Sequence, residues 1–502
     1  MKILFFNPSR AGLGNIPINI PVLISILVEH KHTVKLFDLS DYDIFNNKEY
    51  ESIFFKEAKM DESKVIQDRK NFYKGAFEKA VHGTDLKKSD YTKDFEELLN
   101  TFKPDMIAVS SLSVDFKFAC DFLRPFVKKN KIPVIFGGIH VILLPEESMS
   151  DEVCSMVCVG EGETAFPKLL EAIENKQSLE TIEGIWFKDE NGKIIKNPFT
   201  LLTDLTTLPI LNLDLFDPIH FYRPFAGKRY KMLNFEMSRG CPFNCTYCVN
   251  GVLKGLYKTH GPYHRMKSVD QGINELKELI KKYHFDFIRF WDEDFTANPL
   301  NYLREYGEKY IAEINLPFII YSRVDTITDE KLDILYRMGC KGLSVGIESG
   351  NEWIRKNVMN RFMSNALIIE KFALCKKHKI RVSAYNMMGL PFDTRETIFD
   401  TIELNRTVEP DSFSVTLLEP YKGTPIRKMC EDQGLPPDHE TQYTPLKPQF
   451  VPKDMTSDEL AGLFRTFPLY IKFPKDRYPE IKLAETDDEA YKKLMKEFEN
   501  IK

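Results

Sequence analysis

Three cysteines lie close together in the segment Ser-Arg-Gly-Cys-Pro-Phe-Asn-Cys-Thr-Tyr-Cys, and they are Cys241, Cys245 and Cys248. Thiolates are soft ligands, and gaps of three and two residues let one short loop hold three corners of an iron–sulfur cluster. The fourth iron would then be open to another group. A structural zinc site is the alternative, but it usually takes four ligands in paired spacings, and no second pair lies nearby.

The second half of the chain alternates short apolar strands with amphipathic helices, which predicts a parallel β/α sheet. Six such units would form a partial (β/α)6 relative of the TIM barrel, where functional groups collect at the carboxyl ends of the strands. The predicted strands are Met232–Met237, Asp286–Trp291, Pro317–Tyr321, Gly342–Ile347, Ile380–Met388 and Asp411–Leu417. The predicted helices are Val269–His284, Leu300–Ile314, Asp329–Met338, Ser364–His378 and Arg395–Val408.

Polar groups follow these predicted strands one after another. The cysteine loop follows the first strand, three acidic residues follow the second, Ser322 and Arg323 the third, and Glu348 the fourth. Carboxylates accept hydrogen bonds from an ammonium group or from ribose hydroxyls, and arginine binds a carboxylate as a bidentate fork. Any one of these groups alone is more typical of a surface ion pair. Their recurrence after a cluster loop favours a binding site.

The cysteine spacing, with Tyr247 before the third cysteine, resembles the signature of the radical S-adenosylmethionine (SAM) enzymes, and the resemblance covers residues 232–425. It implies a 4Fe–4S cluster on Cys241, Cys245 and Cys248, whose open iron chelates SAM. One electron then cleaves SAM to a 5′-deoxyadenosyl radical. No catalytic acid or base is predicted. The residues that the resemblance assigns to SAM are Tyr247, Asp292, Glu293, Asp294, Ser322, Arg323, Glu348, Met388 and Gly389.

Residues 1–175 also alternate strands with helices, which predicts a doubly wound parallel sheet with its ligand at the carboxyl ends of the strands. Small residues lie at three of these ends, in Ser110-Ser111-Leu112, Gly137-Gly138 and Gly160-Glu161-Gly162. Missing side chains let a ligand approach the backbone closely. Taken singly, such residues are more typical of tight βα turns.

In order and spacing, these stretches resemble the cobalamin-binding domain that precedes many radical SAM enzymes. The D-x-H-x-x-G motif, whose histidine binds cobalt in many cobalamin proteins, is absent. We therefore expect His140 to have a structural role, and His82 stays open as a cobalt ligand. The residues that the resemblance assigns to cobalamin are Ser110, Leu112, Gly137, Gly138, Gly160, Glu161 and Gly162.

The pattern predicts four segments. Residues 1–175 would bind cobalamin, and 176–231 would be a connector with a β-hairpin at Asn191-Gly192, a dipeptide typical of two-residue hairpin turns. Residues 232–425 would form the radical SAM barrel. Residues 426–502 would form a small helical region, whose Lys- and Glu-rich end at 481–502 is typical of a solvated helix.

The composition excludes several classes of protein. The 502 residues carry 69 basic and 74 acidic side chains, so no overall basic field indicates nucleic acid. No apolar stretch near the N-terminus is long enough to span a bilayer. Nine cysteines, without a disulfide framework, fit a reducing cytoplasm. Cys154 and Cys158 are expected to be buried structural residues.

We therefore expect a cobalamin-dependent radical SAM enzyme, and specifically a methyltransferase that acts on an unactivated carbon of a small molecule or peptide. It would need an electron donor such as flavodoxin or ferredoxin. Three alternatives remain open from the sequence: a cobalamin-dependent cyclase or rearrangement enzyme, a radical SAM enzyme that binds no cobalamin, and a non-catalytic iron–sulfur sensor.

Overall fold

A computed structural model of the chain describes residues 1–9, 16–42, 86–439 and 448–500. Contacts divide the chain into two compact units. Unit 1 comprises Met1–Phe235 with Gly255–Phe287, and unit 2 comprises Glu236–Lys254 with Ile288–Lys502. The residues predicted to bind cobalamin lie in unit 1, and those predicted to bind the cluster and SAM lie in unit 2.

Unit 1 contains a seven-stranded sheet. Its strands are β1 (Lys2–Asn7), β2 (Thr33–Asp38), β3 (Met106–Ser110), β4 (Val134–Gly137), β5 (Met156–Cys158), β6 (Ile185–Lys188) and β7 (Ile194–Lys196). They lie in the order β2-β1-β3-β4-β5-β6-β7, and the first five are parallel, in the doubly wound order of flavodoxin-like folds, as predicted. The main helices are Asn19–Glu29, Tyr91–Phe102, Ser113–Asn130, Gly162–Glu174 and Val269–Tyr283. Apolar side chains of β1, β3 and β4 are buried, because helices cover both faces of such a sheet.

The predicted hairpin is present, but it extends the first sheet. β6 pairs antiparallel with β5, and β7 pairs antiparallel with β6. Local turn chemistry predicts the hairpin, whereas its pairing with β5 depends on contacts that are distant in sequence. The sequence also missed two short helices, Ile139–Leu143 and Pro145–Ser150, and the strand β8 (Tyr222–Phe225). Strand β8 pairs antiparallel with β9 (Lys228–Phe235), which overlaps the predicted strand 232–237.

Unit 2 contains five parallel strands, which are β12 (Phe287–Phe290), β13 (Phe318–Ser322), β14 (Cys340–Glu348), β15 (Arg381–Met388) and β16 (Ser412–Leu417). They lie in the order β16-β15-β14-β13-β12, and each is within a few residues of its predicted position. The two-residue strands β10 (Ser238–Arg239) and β11 (Arg265–Met266) lie in units 2 and 1. The intervening helices are Val249–Leu256, Leu300–Glu313, Asp329–Met338, Asn365–Lys377 and Arg395–Val408. The predicted α/β fold class is confirmed.

The C-terminal residues are helical, as predicted. The helices are Pro425–Asp432, Ser457–Lys472, Tyr478–Ala484 and Asp488–Phe498. The prediction of a solvated end at 481–502 is wrong for its apolar positions. Ile481, Ala484 and Leu494 are buried in one core with Met388 and Leu460, because a narrow apolar stripe suffices to dock a charged helix. Among the described residues, no helix is long and apolar enough to cross a membrane.

Candidate functional site

The cysteine loop rests on a segment of unit 2 that is distant in sequence. The backbone N–H of Thr246 donates to the carbonyl of Met359 (3.2 Å), and the Thr246 hydroxyl donates to the carbonyl of Val358 (2.5 Å). The Asn360 amide donates to the carbonyl of Asn244 (2.7 Å). The supporting segment contains a π-helical turn, Ile354–Val358, a geometry that is rare outside functional sites. These contacts fix the loop that carries the three cysteines.

Two of the three acidic residues after β12 contact the loop directly. Asp292 accepts hydrogen bonds from the backbone N–H groups of Met237 (3.2 Å) and Ser238 (2.6 Å), and from the Ser238 hydroxyl. Glu293 accepts one from the N–H of Gly240 (3.1 Å), beside Cys241. Asp292 thus fixes the entry to the loop, and Glu293 holds the backbone just before the first cysteine.

Asp294 does not contact the cysteine loop and instead accepts hydrogen bonds from two threonines. Its carboxylate accepts hydrogen bonds from the N–H and hydroxyl of Thr296 (3.1 and 2.9 Å) and from the Thr326 hydroxyl (3.0 Å). The Ser322 hydroxyl lies 2.5 Å from that of Thr296. Asp294 and Ser322 therefore belong to a buried hydroxyl network that joins the ends of β12 and β13.

Arg323 contacts a cysteine. Its Nη1 donates to the Cys245 sulfur at 3.0 Å, while Nε and Nη2 form a bidentate fork on Asp325 (3.0 and 2.8 Å). The guanidinium carbon lies 3.7 Å from the centre of the Phe243 ring. An arginine has five N–H donors, so one N–H on each terminal nitrogen is left for a bound carboxylate.

Tyr247 joins Glu348 to a second arginine. Its hydroxyl donates to Glu348 Oε1 (3.1 Å) and accepts from Arg361 Nη1 (3.1 Å). Arg361 also donates to the carbonyl of Gly346 (2.6 Å). Glu348 has a φ of +66°, a left-handed conformation that is uncommon for glutamate and that concentrates at functional sites. Sequence reasoning missed Arg361, because it lies beyond the strand ends where candidates were sought.

The fifth strand end supplies backbone rather than side chains. The Met388 side chain is buried in the C-terminal core. Gly389 has a φ of +77°, and a Cβ added there would lie 3.1 Å from a Leu460 methyl group. The buried Asp393 accepts a hydrogen bond from the N–H of Leu390 (2.9 Å) and holds this turn. Only the backbone of this turn is therefore available to a ligand.

Burial makes this site electrostatically suited to a cation. It raises the pKa of Asp292 and Asp294 to about 6. Burial also raises the pKa of Glu348. Carboxyl groups in this state are stabilised as carboxylates by an approaching positive charge, which an ammonium group would provide.

The donor set fits an iron–sulfur cluster. All three cysteines are free thiols, and burial raises the pKa of Cys241 to about 12 and also raises that of Cys248. Coordination to a metal deprotonates a thiol outright, so burial is no obstacle to thiolate ligation. Three thiolates on one loop, without a fourth ligand among the described residues nearby, leave one iron position open.

In unit 1, the residues predicted to bind cobalamin lie at the carboxyl ends of the parallel strands. The Ser110 hydroxyl accepts from the Asn19 amide (2.7 Å), and the Leu112 side chain is 56% exposed. Gly138 has a φ of +97°, and an added Cβ would lie 2.7 Å from the backbone oxygen of Ser111. At Gly137 the nearest atom would be 3.9 Å away. Gly138 is thus required by the protein's own backbone, whereas Gly137 has room for a Cβ without a clash.

The strand end that carries Gly160, Glu161 and Gly162 differs from the other two, because it contains an ion pair. Arg265 forms a bidentate ion pair with Glu161 (2.5 and 2.9 Å), which also accepts from the N–H of Thr203 (2.7 Å). Glu161 therefore has a structural role in this arrangement. A Cβ added to Gly160 would lie 2.7 Å from the Thr200 hydroxyl. Gly162 begins the helix Gly162–Glu174.

Three buried hydroxyls near these strand ends test whether unit 1 fits a polar cofactor. The hydroxyls of Ser111, Thr200 and Tyr257 find no hydrogen-bond partner among the described residues. Buried hydroxyls normally have partners, and the amide groups at the rim of cobalamin could supply them. The small residue at Gly137 and these hydroxyls fit that cofactor. Sequence reasoning missed Thr200 and Tyr257, which lie outside the strand ends.

The cobalt-ligand question concerns two histidines. His140 is buried, its ring stacks on Phe116 with centroids 4.2 Å apart, and its Nδ1 lies 3.2 Å from the Ser113 hydroxyl. These contacts hold the ring within unit 1. His82 lies outside the described residues. Cys154 and Cys158 are buried, as predicted.

Comparisons with known proteins give two domain matches. Residues 235–404 match the radical SAM superfamily, and residues 70–170 match the B12 binding domain. An uncharacterized methyltransferase of Pyrococcus horikoshii is 27% identical over 76% of this chain and 81% of its own. The anaerobic magnesium-protoporphyrin IX monomethyl ester cyclase of Cereibacter sphaeroides is 26% identical over 81% of this chain and 67% of its own.

The fold also has a solved counterpart. The cobalamin-dependent SAM radical enzyme OxsB, with aqua-cobalamin and SAM bound, superimposes with a TM-score of 0.68 at 16% identity, covering 99% of this chain and 70% of that one. The chain is a radical SAM enzyme. Its B12-binding domain places it with the cobalamin-dependent members. The three cofactors predicted from the sequence are those that these domains imply.

Proposed function

We propose that this protein is a cobalamin-dependent radical methyltransferase that acts on an unactivated carbon of a small molecule or peptide. The observation that carries the proposal is the combination of the Cys241–Cys245–Cys248 loop, surrounded by buried carboxyls and arginines, with a B12 binding domain in one chain. When bound, the cluster would supply the electron that cleaves SAM, and cobalamin would supply the methyl group.

The chain's own residues would bind and orient these groups. Cys241, Cys245 and Cys248 would hold three irons, and Glu293 would accept a hydrogen bond from the SAM ammonium group. Arg323 would donate its two remaining N–H groups to the SAM carboxylate. Tyr247, Glu348 and the Gly389 backbone would line the rest of the site, while Asp292 and Asp294 would hold the loops that carry it.

In unit 1, cobalamin would lie beside Gly137, with the Ser111, Thr200 and Tyr257 hydroxyls bonding its amides. We infer that the functional segments are 1–175, 176–231, 232–425 and 426–502. A flavodoxin or ferredoxin would supply electrons, and a cytoplasmic location would suit both that donor and the cluster.

One experiment separates methylation from its rival. Anaerobically reconstituted protein should convert SAM to 5′-deoxyadenosine, and the variant with all three cysteines changed to alanine should not. Cells fed methionine with a deuterated methyl group should then accumulate, only when the wild-type gene is present, a product that carries three deuterium atoms. A product without the label would favour a cyclase or rearrangement enzyme, a possibility supported by the Cereibacter relative.

A further inference from the structure

The sulfur of Cys245 contacts two arginines that come from different parts of unit 2. Arg323 Nη1 donates to this sulfur at 3.0 Å, and Arg361 Nη1 does so at 3.8 Å. Both arginines are almost fully buried, with 8% and 3% of their surface exposed. Two cationic donors therefore converge on one cysteine of the loop.

Neither arginine is free to turn away. Arg323 is fixed by its bidentate fork on Asp325 and by the Phe243 ring beneath it. Arg361 is fixed by the Gly346 carbonyl and the Tyr247 hydroxyl. Donors held in this way meet the sulfur without the entropic cost of ordering a long side chain.

The other two sulfurs accept hydrogen bonds from neutral groups, although Arg323 and Asp294 also act on Cys241 through their charge. The Asn250 amide donates to Cys248 at 3.7 Å, and the backbone of Phe243 donates to Cys241. The hydrogen bonds from the two arginines thus fall on Cys245. The spacing in the sequence does not distinguish the three cysteines, whereas in the structure Cys245 accepts hydrogen bonds from two arginines.

We propose that Arg323 and Arg361 are positioning residues that raise the reduction potential of the cluster through Cys245. The potential of an iron–sulfur cluster depends on its net charge, its burial and the hydrogen bonds to its sulfurs. When a reductant adds one electron to the cluster, two buried cations beside one thiolate stabilise the added negative charge, and no bond is made or broken. The proposal rests on the proposed function, because it requires a cluster on the three cysteines.

This role is distinct from holding SAM. Arg323 was assigned to the SAM carboxylate, and two of its N–H groups remain available for that contact. The effect on potential is present without SAM, because the donor to Cys245 belongs to the protein alone. Measuring the potential of SAM-free protein therefore isolates it.

The test is a potentiometric titration of SAM-free, cluster-loaded protein, followed by the electron paramagnetic resonance signal of the reduced cluster. For Arg323→Gln we expect the ratio of reduced to oxidised cluster at a fixed potential to fall about tenfold, which is about 59 mV for a one-electron couple. Arg361→Gln should shift it in the same direction by less, since its contact is longer. Arg323→Lys, which retains the charge, should lie between Arg323→Gln and the wild type.

Arg337→Gln is the matched control, because this arginine is exposed and pairs with Asp333 on a helix surface of the same unit. Wild-type potentials in iron-replete Arg323→Gln and Arg361→Gln would overturn the inference and leave the proposed function intact. Should Arg323→Gln fail to load iron, Arg361→Gln and Arg323→Lys decide the matter, and unchanged potentials in both would overturn it. A wild-type protein that binds no cluster would instead refute the proposed function.

Discussion

The candidate site in unit 2 is built from charged side chains that hold one another, whereas the site in unit 1 is built from backbone, glycines and hydroxyls. Around the cysteine loop, Arg323 pairs with Asp325, and Tyr247 joins Glu348 to Arg361. At the strand ends of unit 1, Glu161 and Arg265 form an ion pair that Thr203 also contacts, and the hydroxyls of Ser111, Thr200 and Tyr257 have no partner among the described residues.

This difference follows from what each site would bind. SAM carries an ammonium, a carboxylate and a sulfonium, so its site needs fixed charges of both signs. Cobalamin is large and rich in amides, so its site needs space and neutral hydrogen-bonding groups. Changes of charge should therefore damage the site in unit 2, and changes of volume should damage the site in unit 1.

The largest expected effect is loss of the cluster. Replacing Cys241, Cys245 and Cys248 by alanine should abolish iron binding and the absorbance near roughly 400 nm, because no other thiols are placed to hold the cluster. Cobalamin retention should survive. As a control, Cys375→Ala alters a buried cysteine outside the loop and should keep the full iron content. Iron retained by the triple variant would refute the cluster assignment.

The next largest effect concerns volume in unit 1. Gly137→Leu should weaken cobalamin binding at least about a hundredfold, because the new side chain fills the space beside β4 and loses several contacts at once. Gly137→Ala should weaken it less, and both should keep the cluster. Equilibrium dialysis with hydroxocobalamin measures the change. Equal binding by Gly137→Leu and wild type would show that the cofactor lies elsewhere.

A charge-conserving change in unit 2 should have a moderate effect. Arg323→Lys keeps the positive charge but loses the planar fork, so SAM binding should weaken by roughly 2–3 kcal/mol, the usual size of a charged hydrogen bond. Calorimetry on cluster-loaded protein measures it, with Arg337→Lys as the surface control. Unchanged affinity would leave Arg323 with its contact to Cys245 alone.

The smallest effect is the cost in stability of burying carboxyl groups in unit 2. Burial raises the pKa of Asp393 to about 7. The unfolded state loses this proton at a lower pH than the folded state. The contribution of Asp393 to the free energy of unfolding therefore falls as the pH rises from about 4 to about 7, and it does not change further above pH 7. Asp393 alone should account for about 1 kcal/mol between pH 6 and 7.

Urea denaturation at several pH values tests this contribution, and Asp393→Asn should flatten the profile in that range. Asp333→Asn, at an exposed ion pair, should leave the slope as it is. A slope that persists in Asp393→Asn would assign the pH dependence to other buried carboxyls, such as Asp292.

The local features of this protein follow from its amino-acid sequence. Cysteine spacing is set within one loop, and the alternation of strands and helices follows from side-chain periodicity, so both could be predicted without a fold. That alternation predicted the parallel sheets, and the sheets in turn predicted that candidate residues lie at the carboxyl ends of the strands. The hairpin at Asn191-Gly192 was predicted for the same local reason.

Which partner each candidate residue contacts depends on the folded arrangement of distant segments. Asp292 and Glu293 bond to the start of the cysteine loop, yet their neighbour Asp294 bonds to Thr296 and Thr326. Arg361 meets Cys245 across more than a hundred residues, a contact that no local pattern encodes. Gly138 meets the backbone of Ser111, although the sequence suggested a ligand there. Such contacts depend on how distant segments pack, and packing is a property of the folded chain.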